Sequence, residues 1–264
     1  MQAHILHTHY WIIITMKVVA IIPARMGSSR FPGKPLAPIL GKSMIEHVYR
    51  RVALCEQLDA TIIATCDDEI REAAEAFGAP VIMTSDVHER ASDRVAEAAL
   101  ELDADVVVMV QGDEPMIYPD MIDAAIQPFL NDSGVACVNL SRRIDSLEEY
   151  QNPNTIKVVT DQKSNAMYMT RAPIPTLTDS GLADTIALKQ VCVIVFTNDE
   201  LVRYTQLAPT PLEQFESIDM LRLMEHGRPV HMVPTDRDTV AVDCPDDVLR
   251  VEALLKDDVL LESY

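Results

Sequence analysis

The sequence predicts an α/β fold whose parallel sheet is buried on both faces. Residues 18–22 and 106–110 are apolar runs that contain no polar side chain and have the length of strands. Between such runs lie segments whose apolar residues recur at helical spacing. Continuous apolar strands that alternate with helices are typical of a parallel sheet with helices on each side.

The first half of the chain alternates regularly between strands and helices. A helix is predicted after Ser43, because Ser43 and Glu46 form a capping box. One face of this helix is apolar and carries Met44, Ile45, Val48, Tyr49 and Val52. The other predicted elements of this half are strand 18–22, strand 61–65, helix 67–77 before Gly78, strand 81–83, helix 92–102 and strand 106–110.

The second half is less regular. Its predicted elements are strands 156–160, 166–169 and 191–196, and helices 199–207, 212–223 and 245–255. A further short apolar run covers 239–242 and is followed by Asp243. The strand at 106–110 is likewise followed closely by an aspartate, Asp113. We find no internal repeat, low-complexity tract or flexible linker, so we expect a single domain over 16–264 with an insertion at roughly 150–200.

Residues 1–15 are expected to be an extension with no part in the chemistry. The apolar run before Lys17 is shorter than the roughly 20 residues that a membrane span needs. It also lacks the basic start and the cleavage site of a signal peptide. Met16 stands directly before the first strand and is a candidate start.

Composition narrows the possible partners. The chain of 264 residues has a formal net charge of -19, which argues against nucleic-acid binding, because that activity needs a basic face. Its five cysteines show no paired spacing, which is typical of reduced thiols in a cytosol and predicts no zinc site. We therefore expect small-molecule substrates and no membrane or nucleic-acid partner.

The loop after the first strand predicts a binding site for a polyanion. Gly27 and Gly33 are expected to let the backbone turn tightly and bring N–H groups close to a phosphate. Cationic and hydroxyl side chains then supply donors to it: Arg25, Ser28, Ser29, Arg30 and Lys34.

Two common nucleotide-binding loops are excluded by spacing. Five residues separate Gly27 from Gly33, and Pro35 follows Lys34 where a P-loop has Ser or Thr. The dinucleotide fingerprint Gly-x-Gly-x-x-Gly is also absent, which argues against a nicotinamide oxidoreductase.

Two carboxylates follow apolar runs and predict a magnesium site. Asp113 comes just past the strand at 106–110, and ligands of open α/β sheets bind at that edge. Asp243 ends the run at 239–242. Two aspartates together with phosphate oxygens form a ligand set that Mg²⁺ accepts.

These residues stand in motifs that resemble the CMP-Kdo synthetases, the 3-deoxy-manno-octulosonate cytidylyltransferases. The longest matches are Ile22-Pro23-Ala24-Arg25, Ser28-Ser29-Arg30, Pro32-Gly33-Lys34-Pro35-Leu36 and Gln111-Gly112-Asp113-Glu114-Pro115. Shorter matches are Asn152-Pro153-Asn154, Lys157-Val158-Val159, Arg171-Ala172, Ile174-Pro175, Pro211-Leu212-Glu213, Leu221-Arg222 and Val242-Asp243. The likeness runs from about Lys17 to Leu254.

The resemblance implies a three-layer fold of the nucleotide-diphospho-sugar transferase type, with a mostly parallel sheet and a dimerisation insertion. It implies that CTP and a 3-deoxy-2-ulosonic acid give a CMP-sugar and pyrophosphate, with Mg²⁺. It further implies a cytoplasmic homodimer that serves lipopolysaccharide biosynthesis.

Residue roles carry over from the same resemblance. Arg25, Gly27, Ser28, Ser29, Arg30 and Lys34 would hold the triphosphate. Lys34, Arg30 and Asp113 would act in catalysis, and Asp113 and Asp243 would bind the metal. Gln111 would lie near the nucleotide and the sugar. Arg171 and Glu213 would line the sugar pocket. Arg90 and Gln190, which depart from the family pattern, are also expected to bind the substrate, because both side chains donate hydrogen bonds.

Some positions depart from the family pattern and keep the choice of sugar open. Arg90-Ala91-Ser92-Asp93-Arg94 stands where the family typically has Ser-Gly-Thr-Glu-Arg, and Cys66 replaces an aspartate. Gln190 stands in place of a histidine, and Ile194 lacks a tyrosine hydroxyl. Alternatives are a nucleotidyltransferase for another acid sugar, such as a sialic-acid-like substrate, and a non-catalytic nucleotide-binding relative.

Overall fold

A computed structural model describes residues 16–28, 30–131 and 134–264. The predicted extension 1–15 and the predicted phosphate ligand Ser29 lie outside the described residues. The strands of the described chain are β1 (Val18–Ala24), β2 (Pro38–Ile39), β3 (Lys42–Ser43), β4 (Ala60–Thr65), β5 (Val81–Met83), β6 (Val106–Val110), β7 (Cys137–Arg143), β8 (Lys157–Thr160), β9 (Ala166–Thr170), β10 (Leu188–Thr197) and β11 (His231–Pro234).

The helices accompany these strands along most of the chain. They are α1 (Met44–Val52), α2 (Asp68–Ala76), α3 (Ala91–Ala99), α4 (Pro119–Leu130), α5 (Leu147–Gln151), α6 (Asn198–Gln206), α7 (Pro211–Glu216), α8 (Met220–Glu225) and α9 (Pro245–Leu255). Short 3-10 turns cover Lys34–Leu36 and Val259–Ser263. None of the helices in the described ranges has the length and apolar character needed to cross a bilayer.

The main sheet has the strand order β11-β7-β10-β6-β1-β4-β5. Strands β6, β1, β4 and β5 run parallel to one another, and β11 is parallel to β7. Strand β10 is antiparallel to both β6 and β7 and also pairs with β8. The mostly parallel sheet predicted from the sequence is confirmed, with the antiparallel pairing confined to β10 and the β8–β9 ribbon.

Alternate residues of the central strands pack into two layers of core. On one face Ala20 and Ile22 of β1 pack in the cluster that contains the apolar sides of α1, α2 and α4. On the other face Val19 and Ile21 pack with α3, α6 and α8. The three-layer arrangement follows from this alternation, because successive side chains of a strand point to opposite faces.

A small third cluster attaches the C-terminal helix to the region behind the phosphate loop. Ile39 and Met44, at and after the β2–β3 hairpin, pack with Val251 and Leu255 of α9. Val242 is fully buried in the same cluster. The packing therefore fixes the segment just before α9, which contains Asp243.

Several sequence predictions need correction. The run 239–242 is not a strand: it pairs through one backbone hydrogen bond, from Val242 N to Asp113 O at 2.9 Å. The predicted helix 212–223 is broken at Ser217, which has left-handed backbone angles (φ 55) and ends α7. Strand β7 and helix α4 were missed.

The capping box predicted for α1 is formed by half. Ser43 is the N-cap and its hydroxyl accepts from Glu46 N, whereas the Glu46 carboxylate accepts from Arg50 at 2.8 Å. The helix begins where it was predicted, because the Ser43 contact alone satisfies a free N–H of the first turn.

Candidate active site

The carboxyl ends of the parallel strands β1 and β6 form one wall of a cleft. The loop after β1, the segment after β4 and residues 111–113 after β6 meet at this edge of the sheet, because β4, β1 and β6 are neighbours. Antiparallel β10 begins at the same edge, and Gln111 N donates to Cys192 O at 3.3 Å. The cleft has a volume of about 600 Å³.

The loop over residues 25–35 closes on itself at its base. Gly33 N donates to Met26 O at 3.1 Å, and Gly33 has φ 71, which favours glycine. Ser28 Oγ accepts from Phe31 N at 3.2 Å. Gly27 is different from the expectation: its φ is not left-handed, and a Cβ there would meet no atom within 4 Å. Its lack of a side chain leaves open space on the cleft side and is not needed for a tight turn.

Lys34 lies between the two predicted metal ligands. Its Nζ is 2.7 Å from Asp113 Oδ2, 4.0 Å from Asp243 Oδ1 and 2.8 Å from the carbonyl oxygen of Val242. Arg30 reaches Asp243 as well, with Nη2 2.8 Å from Oδ1, and Arg30 Nη1 donates to Asn154 Oδ1 at 3.0 Å. The cationic loop and the two carboxylates thus form one connected group.

Asp113 is placed by a close approach of backbones at Gly112. A Cβ on Gly112 would lie 2.7 Å from the carbonyl oxygen of Pro23, a distance that real Cβ contacts do not show. Any larger residue would therefore push the end of β6 away from the end of β1. Glycine at this position keeps Asp113 next to the loop that carries Lys34.

The two aspartates fit a magnesium ion. Both carboxylates converge on the same cationic atom, Lys34 Nζ, so their oxygens face a common position suited to positive charge. Both side chains are 28% exposed and remain accessible. Among the described residues no group of three or more His, Cys, Asp or Glu side chains is arranged to hold a metal. Phosphate oxygens and water would supply the other ligands, as is usual for Mg²⁺.

Glu114 lies behind Asp113 and carries a perturbed carboxyl group. Burial, followed by the nearby charge of Asp113, raises the pKa of Glu114 to about 8. Its Oε2 has no hydrogen-bond partner among the described residues. At neutral pH Glu114 is therefore mostly protonated and adds little negative charge to the two aspartates.

Further cations line the cleft of this acidic protein. Arg25 is exposed and has no side-chain partner within the part of the chain that the structure describes. Arg90 donates to Ser217 Oγ at 2.7 Å and lies 3.7 Å from Glu213 Oε1. Arg94, only 3% exposed, donates to Thr84 Oγ1 through Nη1, while its Nη2 has no partner among the described atoms.

Strand β10 contributes Gln190 through an irregularity in its pairing. The register with β7 shifts between Val191 and Ile194, and the amide of Asn139 donates to the carbonyl oxygens of Val191 and Val193 at 2.7 and 3.1 Å. Gln190 Nε2 donates to Asn139 Oδ1. Asn139 thus fills the irregularity and orients Gln190 on the cleft wall.

Cys192 also lines this part of the cleft but is not suited to nucleophilic chemistry. Burial raises the pKa of the Cys192 thiol well above its usual value. The thiol is therefore protonated at neutral pH, and its role is to pack.

Two residues predicted for the sugar pocket lie outside the cleft lining. The Glu213 carboxylate is 1% exposed and accepts from Arg222 at 2.9 and 2.6 Å, and it also closes a capping box with Thr210. Arg171 donates to the carbonyl oxygens of Glu216 and Pro153. The contacts of Glu213 and Arg171 with a sugar stay predictions.

The other predicted residues come together. Arg25, Gly27, Ser28, Arg30, Lys34, Arg90, Gln111, Asp113 and Gln190 all line the one cleft, and Asp243 borders it through Lys34 and Arg30. The cleft lining also includes residues that were not predicted from the sequence, among them His88, Arg94, Ser217 and Ile218. His88 and Arg94 could have been predicted from the sequence, because they lie close to the start of a predicted helix that follows a predicted strand.

Comparisons with known proteins found relatives that match most of the chain. A family model described as cytidylyltransferase matches residues 19–231. A 3-deoxy-manno-octulosonate cytidylyltransferase of Geobacter metallireducens is 44% identical over 245 residues, which cover 89% of this chain and 96% of the relative. A protein of the same name from Geotalea uraniireducens is 44% identical over 250 residues, covering 91% of this chain and all of the relative.

Solved structures show the same fold. A CMP:2-keto-3-deoxy-manno-octonic acid synthetase complexed with CTP superimposes with a TM-score of 0.84 at 37% identity, covering 91% of this chain and 98% of the other. A cytidylyltransferase from Leptospira borgpetersenii, at 19% identity and a TM-score of 0.64, shares the fold over 93% of this chain and 89% of its own length.

Proposed function

The chain belongs to the family of the 3-deoxy-manno-octulosonate cytidylyltransferases, and we propose that it joins CTP to the acid sugar Kdo, giving CMP-Kdo and pyrophosphate. One observation carries the proposal: a cationic loop and two converging carboxylates share one cleft at the carboxyl edge of the sheet. Such a cleft suits a nucleoside triphosphate with its divalent cation.

The reaction forms one bond and breaks one. The anomeric hydroxyl oxygen of the sugar bonds to the α-phosphorus of CTP. The bond from the α-phosphorus to its bridging oxygen breaks, and pyrophosphate leaves with the electron pair, while the hydroxyl proton goes to solvent. The protein needs to hold the two reactants in line and to stabilise the charge on the leaving group.

Lys34 and Arg30 are suited to the second of these tasks. Both are positively charged, both lie on the loop that lines the cleft, and both already contact anionic oxygens there. Fixed cations placed where charge develops lower the barrier because they need no reorganisation during the reaction. Arg25 and the open backbone at Gly27 and Ser28 would bind the rest of the triphosphate.

Asp113 and Asp243 would hold Mg²⁺ at the carboxylate side of the cleft. When bound, this ion supplies Lewis-acid stabilisation of phosphate charge and makes a coordinated hydroxyl more acidic. Asp113 is held in place by the close contact at Gly112, and Asp243 by the packing of Val242. Both carboxylates are therefore held in place by the fold. They pair with Lys34 and Arg30 in this structure, so binding of the ion would displace these two cations toward the phosphates.

Recognition of the sugar is assigned to the wall opposite the loop. Gln190, oriented by Asn139, and Arg90, at the start of α3, offer hydrogen-bond donors to an acid sugar. Gln111 also lines the cleft and would lie near the nucleotide and the sugar. A site built to bond polar groups rejects analogues that lack them, because its own groups are then left unpaired.

We also propose a cytoplasmic homodimer that uses the region at 150–200 as its interface and supplies lipopolysaccharide biosynthesis. Met167 and Ile186, both within that region, are 66% and 73% exposed. Large exposed apolar side chains favour association. Sedimentation of the purified chain tests the dimer, and a monomer at micromolar concentration would contradict it.

A pyrophosphate-release assay tests the function directly. We expect release with CTP, Mg²⁺ and Kdo, and little release with ATP, GTP or UTP. N-acetylneuraminic acid serves as the competing acid sugar, and mass spectrometry of the product identifies which sugar is linked to CMP. Release with N-acetylneuraminic acid and not with Kdo would overturn the choice of sugar, and CTP binding without release would support a non-catalytic relative.

A further inference from the structure

We propose that Asp67 is a positioning residue that fixes the phosphate-binding loop, although it lies on a different strand-helix unit. The inference rests on the proposed function only in assuming that the loop binds a triphosphate. Asp67 follows β4, whereas the loop follows β1, and the two strands are parallel neighbours. The contact between them is therefore made at the edge of the sheet where the cleft opens.

The first observation is that the Asp67 side chain does not cap its own helix. Asp67 is the N-cap of α2, where an aspartate ordinarily accepts a hydrogen bond from an N–H of the first turn. No such side-chain bond is present in α2. Asp67 Oδ2 instead accepts from the backbone N–H of Met26 at 2.7 Å. A hydrogen bond to a charged acceptor at this distance is a strong one.

The second observation is that Met26 is the base of the loop. Its N–H is held by Asp67, and its carbonyl oxygen accepts from Gly33 N at 3.1 Å. Its side chain packs against the core cluster beneath α1 and α2. Met26 therefore provides a base for the loop that is fixed by three contacts, one of which is the hydrogen bond to Asp67.

The third observation is that Asp67 is itself fixed from behind. Asp67 N donates to Thr65 Oγ1 at 3.1 Å, and Thr65 is fully buried at the end of β4. The carbonyl oxygen of Asp67 accepts from Arg71 N at 3.1 Å, which is the first backbone hydrogen bond of α2. The backbone of Asp67 is thus locked between a buried strand and a helix, which gives its carboxylate a defined position.

These contacts determine which N–H groups of the loop can face a phosphate. The Met26 N–H is engaged by Asp67. Gly27 and Ser28 line the cleft, and their N–H groups have no partner within the described part of the chain. Loss of the Asp67 contact would leave these two donors attached to a base that can shift, so triphosphate binding should weaken more than the chemical step.

The test compares Asp67 with its neighbour. Asp67→Ala, Asp67→Asn and the matched control Asp68→Asn are assayed for kcat and for the KM of CTP and of Kdo, and CTP affinity is measured by calorimetry without sugar. Asp68 is exposed and pairs with Arg71, so Asp68→Asn makes the same charge change one residue away.

We expect Asp67→Ala to raise the KM and the Kd of CTP by about ten-fold or more, the size expected for losing a hydrogen bond to a charged group. Asp67→Asn keeps an acceptor oxygen and should fall between Asp67→Ala and the wild type. Asp68→Asn should bind CTP as the wild type does, and the KM of Kdo should change little in any variant.

Three results would overturn the inference. These are CTP affinity within two-fold of the wild type in Asp67→Ala, equal losses in Asp67→Asn and Asp68→Asn, and a fall in melting temperature and kcat without a change in CTP affinity. If Asp67→Ala does not fold, Asp67→Asn against Asp68→Asn decides. Calorimetry with CTP alone tests the loop even if no sugar supports turnover. Failure of this inference can therefore be distinguished from failure of the proposed function.

Discussion

Lys34 is the side chain on which the electrostatics of the site centre. Its ammonium contacts one carboxylate directly, approaches a second and donates a hydrogen bond to the carbonyl oxygen of Val242. The side chain is 14% exposed, and its charge faces the cleft instead of the apolar core. A cation in this position can contact the phosphates of a bound triphosphate as well as Asp113 and Asp243.

Substitution of Lys34 should therefore stop the reaction and spare the fold. We expect Lys34→Ala to lower kcat by about 10²–10³-fold, the loss typical of removing one preorganised charge-stabilising donor. Pyrophosphate release measures the rate, and circular dichroism with a thermal melt measures the fold. Lys163→Ala, an exposed lysine in a turn, is the matched control. Near-normal turnover of Lys34→Ala, or its unfolding, would count against this role.

Gly112 should be the glycine of the site that tolerates substitution least. In Gly112→Ala the new Cβ meets the backbone carbonyl of Pro23 at 2.7 Å, so two strand ends must separate. We expect a loss of about 1–3 kcal/mol in the free energy of unfolding, as for other overpacked sites.

Denaturant unfolding of Gly112→Ala and Gly27→Ala makes the comparison. A Cβ on Gly27 meets no atom within 4 Å and its φ is not left-handed, so Gly27→Ala should unfold at nearly the wild-type denaturant concentration. Equal stability of the two variants would show that the strand ends do not depend on Gly112.

At the scale of residues, sequence patterns identified the cations of the loop after β1. Arg25, Arg30 and Lys34 were recognisable because three cations within ten residues stand out in a chain of net charge -19. Asp67 was not, because an aspartate before a helix is ordinarily a cap and the sequence does not show that its carboxylate turns to another loop. The burial of Glu213 against Arg222 likewise depends on a pairing between two helices.

At the scale of elements, the C-terminal segment is tied to the β2–β3 hairpin through His47. His47 lies in α1 and is fully buried, with Nε2 2.8 Å from Ile39 O and Nδ1 2.9 Å from the hydroxyl of Tyr264. Burial lowers the pKa of His47 below its usual value near 6.5. The neutral ring therefore joins the β2–β3 hairpin to the end of the chain.

This arrangement predicts a pH dependence of stability. As the pH falls below about 6.5, the unfolded chain takes up a proton at His47 that the folded chain does not, so the free energy of unfolding should decrease. For one group the slope is at most about 1.4 kcal/mol per pH unit. Denaturant unfolding between about pH 7.5 and about pH 5 measures the decrease.

Two variants isolate the contribution of His47. His47→Gln should lose part of this pH dependence, whereas His231→Gln, which changes a half-buried histidine of β11, should keep it. Identical pH profiles for the wild type and His47→Gln would contradict the buried neutral ring.

Elements with one dominant pattern were predicted well, and elements set by tertiary contacts were not. Strand β6 and helix α9 have the predicted bounds. No glycine or proline marks the break at Ser217 in the sequence. The Ser217 hydroxyl accepts from Arg90, which precedes α3 and is distant in sequence. Strand β7 was missed because it mixes apolar residues with Asn139, Arg142 and Arg143, although Asn139 is fully buried.

At the scale of the whole molecule, charge is distributed unevenly. The chain carries 41 acidic and 22 basic residues, yet one cleft collects Arg25, Arg30, Lys34, Arg90 and Arg94. A cationic cleft concentrates anionic substrates locally, whereas the acidic remainder of the surface repels nucleic acid. This contrast supports CTP and an acid sugar as the pair of substrates.

The overall fold was predictable because the sheet is covered on both faces. Apolar strands and amphipathic helices in alternation left few other arrangements for the first half of the chain. The antiparallel insertion of β10 between β6 and β7 was not predictable from periodicity, because a strand buried on both faces reads the same in either direction. That strand brings Gln190 and Cys192 to the site.

A crystal structure of the protein with CTP and Mn²⁺ in place of Mg²⁺ tests the central claim most directly. The account predicts that the triphosphate lies against Lys34, Arg30 and the open backbone at Gly27 and Ser28. It also predicts an anomalous Mn²⁺ peak within coordination distance of both Asp113 and Asp243. A triphosphate bound elsewhere in the cleft, or a metal that contacts neither aspartate, would contradict it.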